Sequence, residues 1–124
     1  MSVVVNNIAT ITIKNKNYRK VISTTQTQQL VLMSLEPSEF IHLEIHPKVT
    51  QFIRIEEGEG LIEIGNPVKK KIKVRDDSSV TIPPNTWHYV KNTSDSKPLK
   101  LYTIYSPPNH KHGTVQKRQP KRDD

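Results

Sequence analysis

Cysteine is missing from the 124 residues, so disulfides and thiolate metal sites are both excluded and any metal must take nitrogen and oxygen donors. Apolar residues are scarce at 33%, which implies that part of the chain contributes nothing to a core. No apolar run approaches the length of a membrane span. The opening "MSVVVNNIATITIKNKNYRK" also lacks the basic start and long apolar stretch of a secretion signal. A soluble, intracellular protein with one domain and one core is the expectation.

Acidic residues are outnumbered, 12 against 19 basic ones, giving a net charge of +7 and raising the question of nucleic acid. The excess is concentrated in "VKKKIKV" (Val68 to Val74) and "KHGTVQKRQPKR" (Lys111 to Arg122), and neither contains the interleaved aromatics that stack on bases. Lys69, Lys71 and Lys73 recur at period two, as on the solvated face of a strand. Weak contacts of the basic tail are the most that charge alone supports.

Helical periodicity is absent as well. "NNIATITIK", "QQLVLMSL", "FIHLEIH", "QFIRIEE", "LIEIG", "KKIKV", "SVTIP", "WHYVKN" and "LKLYTIYS" all read as short strands between Pro, Gly, Asn, Asp and Ser clusters. An all-β antiparallel sandwich or barrel follows. "EGEG" (Glu57 to Gly60) predicts a hairpin between its flanking strands. Residues 1–17 read as an N-terminal β segment suited to a homodimer interface, 18–114 as the barrel, and 115–124 as a basic, disordered tail.

Alternation sorts the polar side chains. Phe40, His42, Glu44 and His46 share one face of their strand and Ile41, Leu43 and Ile45 the other, a pattern equally suited to a solvated face. Gln51 heads an otherwise apolar side with Ile53 and Ile55, and a polar residue there needs a partner. His88 shares its side with Val90, directly after a Pro/Asn turn. Three separate strands thus each offer nitrogen or oxygen donors on a rigid scaffold.

Those segments resemble the two motifs of small single-domain cupins, G-x5-H-x-H-x3,4-E-x6-G and G-x5-P-x-G-x2-H-x3-N. In "EIHPKVTQFIRIEEG", Glu44 falls on the first histidine, His46 on the second, Gln51 on the glutamate and Gly58 on the closing glycine. In "DSSVTIPPNTWHYVKN", Asp77 falls on the opening glycine, Pro83 on the proline, Asn85 on the next glycine, His88 on the histidine and Asn92 on the asparagine. From about Tyr18 to Thr114 the chain is similar to small cupins of which some are named mannose-6-phosphate isomerase-like. The resemblance implies a cupin-type antiparallel β-barrel, also described as a double-stranded β-helix or jelly roll.

It also implies one divalent metal ion, Zn, Mn, Fe or Ni, on Glu44, His46, Gln51 and His88. Relative to the usual three histidines and a carboxylate, the ligand charge is unchanged at about minus one, because a carboxylate replaces an imidazole and an amide replaces the carboxylate. A small polar metabolite in the barrel is the implied partner, within a homodimer. The activities implied are a sugar-phosphate isomerase-like reaction, an Fe(II)-type dioxygenase, or non-catalytic binding of a sugar or acid. His42 and Glu44 are the candidates for moving a proton. His110 and His112 read as surface residues.

Overall fold

The computed structural model describes residues 2–122. Among these, the chain forms one helix, α1 (Ile8–Lys14), and ten strands: β1 (Arg19–Thr24), β2 (Gln29–Leu35), β3 (Phe40–Glu44), β4 (Thr50–Glu57), β5 (Gly60–Ile64), β6 (Lys70–Val74), β7 (Ser79–Ile82), β8 (His88–Asn92), β9 (Leu99–Ser106) and β10 (Val115–Gln116). One sheet has the order β10-β1-β2-β9-β4-β7 and the other β3-β8-β5-β6. Every pairing is antiparallel. The two sheets face each other as a jelly roll, with Val31, Met33, Ile53, Ile62, Val90 and Leu101 wholly buried between them.

Four expectations fail, each for an identifiable reason. "NNIATITIK" contains α1 rather than a strand. Asn7 caps the helix by accepting from Thr10 N at 3.1 Å, and Asn15 closes it through its N–H to the Ile11 carbonyl. Ile8, Ile11, Thr12 and Asn15 turn toward the protein at helical spacing, so packing against β9 and β4 overrides the β propensity of Ile and Thr. Lys100 on β9 fixes the contact, its buried Nζ donating to the Asn15 carbonyl. Burial pulls the Lys100 ammonium below its ordinary range.

"EGEG" is not a hairpin. β4 already pairs with β7 and β9, so the chain crosses to the other sheet and β5 pairs with β6 and β8. Gly58 makes the crossing at φ +115°, where a Cβ would lie 2.8 Å from the Pro98 carbonyl oxygen. The expected strands also omit β1, which lies between β2 and β10.

The tail is the fourth difference. Residues 115–122 lie against the barrel, while 123 and 124 fall outside the described residues. Val115 and Gln116 pair with Lys20 and Arg19, and the Gln116 side chain accepts from the buried Arg19 guanidinium. Gln119 then reaches β3, its Oε1 accepting from Phe40 N at 2.8 Å and its own N–H donating to Glu39 Oε2 at 3.1 Å. Specific backbone partners hold a sequence whose composition favours disorder.

Candidate metal centre

One end of the barrel interior is polar. Across the larger sheet a single register row runs Gln29, Tyr105, Gln51, Ile82, and across the smaller one Glu44 stands opposite His88 and His88 opposite Ile64. Gln29, Gln51, His88 and Tyr105 are all nearly or wholly inaccessible to solvent. Four inward polar side chains at one level are costly unless they satisfy one another or a ligand.

A bulge in β3 brings Glu44 into this layer. Ile41 pairs with Val90, yet Glu44 pairs with His88, so β3 holds one residue more than β8 between these pairs. The extra residue reverses the alternation: Ile41 and Glu44, an odd number apart, both face inward. Phe40 and His42 stay on the outside, packed edge-on at 5.0 Å with Tyr89 against Phe40 at 5.5 Å. The single polar face expected for His42, Glu44 and His46 is therefore divided. His42 turns to the C-terminal segment, where its Nε2 donates to the Pro120 carbonyl at 3.0 Å, since a carbonyl only accepts.

Glu44, His46 and His88 converge, with one ligand atom from each all within 4.8 Å of one another. His46 Nε2 lies 3.1 Å and His88 Nε2 3.4 Å from the same Glu44 Oε1, and the two imidazole centroids are 5.2 Å apart. Burial pushes the Glu44 carboxyl up, but hydrogen bonds and charge from His46 and His88 outweigh it and hold the group at about 2. The loop before β8 ties the segments together through Asn85 N to the His46 carbonyl at 2.8 Å. Asp77 and Asn85, on motif glycine positions, adopt φ of 71° and 62°, so Asx residues here supply the left-handed turns.

His88 is oriented for coordination. Its Nδ1 donates to the Thr86 carbonyl at 2.9 Å, which leaves the Nε2 lone pair directed inward in the neutral ring. That Nε2 is buried 3.4 Å from Glu44 Oε1 and outside hydrogen-bond geometry: in the neutral ring two acceptors approach each other, and with a proton on Nε2 the contact becomes the ion pair that helps hold Glu44 low. Such an approach is unfavourable unless a proton or a metal cation lies between them. Gln51 shows the same deficiency: its Nε2 donates to Thr103 Oγ1 at 3.1 Å and Tyr105 OH at 3.4 Å, while its Oε1 is buried with no hydrogen bond. Gln51 adjoins the cluster through Tyr105, whose ring meets His46 edge-on at 6.1 Å. Two orphaned acceptors beside a carboxylate and an imidazole fit a divalent cation of the borderline or harder kind.

The cluster opens onto a cavity of about 500 Å³ whose wall includes His42, Glu44, His46, Asn109, His110 and Arg122. His110 belongs to this wall rather than to the outer surface. Gln29 accepts from the Asn109 and His110 N–H groups at 3.1 and 2.9 Å and donates to the His110 carbonyl at 2.7 Å. The His110 ring lies 3.3 Å, through Nε2, from Tyr105 OH. Period two on β9, with Thr103 and Tyr105 in step with Leu99 and Leu101, is the sequence signal that places these hydroxyls inside. Nothing comparable in sequence marks Gln29 as the anchor of a loop 80 residues away.

Comparison with known proteins agrees with this architecture. A family model described as the Cupin domain matches residues 31–105. An uncharacterized protein of Acanthamoeba polyphaga mimivirus is 46% identical over 114 residues, covering 92% of this chain and 71% of that protein. The YrkC protein of Bacillus subtilis is 46% identical over 112 residues, covering 88% of this chain and 60% of its own length. A crystal structure of a Bacillus halodurans protein superposes with a TM-score of 0.91 at 42% identity, covering 94% of this chain and 90% of that one.

Proposed function

The chain belongs to the cupin family, and we propose that it is a metal-dependent cupin in which Glu44, His46 and His88, with Gln51, hold one divalent ion beneath a cavity for a small polar metabolite. The observation that carries this reading is that two buried atoms able to act as ligands, His88 Nε2 and Gln51 Oε1, make no hydrogen bond beside the Glu44 carboxylate. A bound ion would polarise a substrate oxygen or, as iron, supply redox chemistry. The protein's own part is to orient: Thr86 sets the His88 ring, Thr103 and Tyr105 set the Gln51 amide, and the β3 bulge aims Glu44.

Two histidines and one carboxylate form the set typical of Fe(II)-type dioxygenases, and this favours that activity over a mannose-6-phosphate isomerase-like one. Isomerisation needs a base to move a proton, whereas Glu44 lies between two imidazoles and His42 is bonded to Pro120. The test is elemental mass spectrometry of untagged protein purified without chelator. Near-stoichiometric metal is expected in the wild type and its loss in both His46→Ala and His88→Ala. Iron would support the dioxygenase reading, and zinc or manganese the isomerase one. A folded, metal-free wild type would leave a non-catalytic binding cupin.

A further inference from the structure

The cavity above Glu44 has a second wall whose chemistry differs from that of the metal donors. Among the described residues that line it, Glu44 is the one carboxylate, and it pairs with His46 and His88. The same lining includes Asn109, His110 and Arg122, an amide, an imidazole and a guanidinium.

Two independent devices deliver these groups to one rim. The buried Gln29 side chain fixes the loop at Asn109 and His110, with its remaining Nε2 contact going to Thr24 Oγ1 at 3.1 Å. The C-terminal segment carries Arg122, which follows two residues after the last of its anchors at Pro120. It pairs with β1 at Val115 and Gln116 and accepts from Tyr18 N at the Lys117 carbonyl, 3.3 Å. It then crosses to β3, held by Gln119 on Phe40 and Glu39 and by the Pro120 carbonyl on His42. Of the four cations in its last stretch, Lys117, Arg118, Lys121 and Arg122, Arg122 is the one that lines the cavity.

We infer that this rim is a binding site for a small oxyanion, the carboxylate or phosphate group of a metabolite whose other oxygen faces Glu44, His46 and His88. The inference rests on the metal-dependent reading for the role of that second oxygen. A guanidinium fork matches the paired oxygens of either anion, and Asn109 adds an amide donor. Arg122 has interactions of its own in this structure, and at an exposed rim such partners exchange readily for a ligand. The segment from Val115 onward is thereby part of the site rather than an appendage.

Isothermal titration calorimetry at low ionic strength tests this with glycolate, inorganic phosphate and the neutral ethylene glycol as probes. Full-length protein is used both metal-loaded and chelator-stripped. The wild type is expected to bind glycolate or phosphate at least about tenfold more tightly than ethylene glycol. Arg122→Gln should lose about tenfold of the anion affinity at unchanged metal content, whereas Lys121→Gln stays within about twofold. Tighter phosphate than glycolate assigns a phosphate ester, and the reverse a carboxylic acid.

Three results would overturn the inference: no anion bound by the wild type, Arg122→Gln within twofold of it, or equal losses in Arg122→Gln and Lys121→Gln. Anion preference that depends on Arg122 in protein that takes up no metal would keep the oxyanion site and remove the metal reading. Metal-loaded protein without that preference would do the opposite.

Discussion

The two ends of the barrel interior are built by the same strands and do opposite things. β9 contributes Leu99 and Leu101 at one end and Thr103 and Tyr105 at the other, while β4 contributes Ile55 and then Gln51. At the apolar end the register brings Leu35 opposite Leu99 and sets Met33 and Ile55 on either side of Leu101, so each buried side chain is satisfied by its neighbours. At the polar end Glu44, His88 and Gln51 leave two acceptors without partners. Packing stabilises the first end by removing apolar surface from water. The second gains little from packing, and in the function proposed above it is the end that receives a cation. Stability and chemistry are thus separated along single strands.

Breaking the apolar end should have the largest effect. Leu101 is fully buried, and Leu101→Ala is expected to lower the unfolding free energy by about 2–5 kcal/mol in urea titrations. Metal per folded molecule should not change. A variant that lost metal in proportion to stability would show that the two ends are not separate.

At the polar end, acid is the sharper probe. The Glu44 carboxyl is held at about 2, below its ordinary 4.5, so its contribution is complete above pH 4.5 and is lost as the pH falls toward 2. In chelator-treated protein, Glu44→Gln should therefore be less stable than wild type above pH 4.5, by roughly 1–3 kcal/mol, with the difference closing near pH 2. Parallel stability curves for the two proteins across that range would contradict the ion-paired arrangement.

The smallest effect is expected from Gln51→Glu. Replacing the orphaned amide oxygen by a carboxylate adds a charge to the donor set and should tighten divalent-ion affinity about tenfold in competition titrations. Unchanged affinity would place Gln51 outside the coordination sphere, as a support for Thr103 and Tyr105 alone.

Much of the barrel was legible in the chain. Period-two runs bounded by turn residues located β2 to β9, and motif spacing picked out Glu44, His46 and His88, which lie together in the fold despite spanning 44 positions of sequence. Local pattern failed where a distant partner changed the outcome. β-Branched residues at Ile8–Lys14 form a helix because β4 and β9 offer a surface to pack on. A basic, Pro-containing tail is held because β1 and the edge of β3 carry backbone groups that need partners.

The sequence by itself determined which residues alternate, where the chain turns, and that any metal site must use nitrogen and oxygen, because these follow from side-chain chemistry and short-range backbone preference. Tertiary structure alone decided which side of each strand is inside at a given level. One extra residue in β3 turns Glu44 inward and leaves His42 on the other face of the strand, at the border of the cavity, and pairing with β8 fixes that register. It also decided that His110 and Arg122 reach the Glu44 cavity, since contacts between residues this far apart in sequence exist only once the sheets have closed.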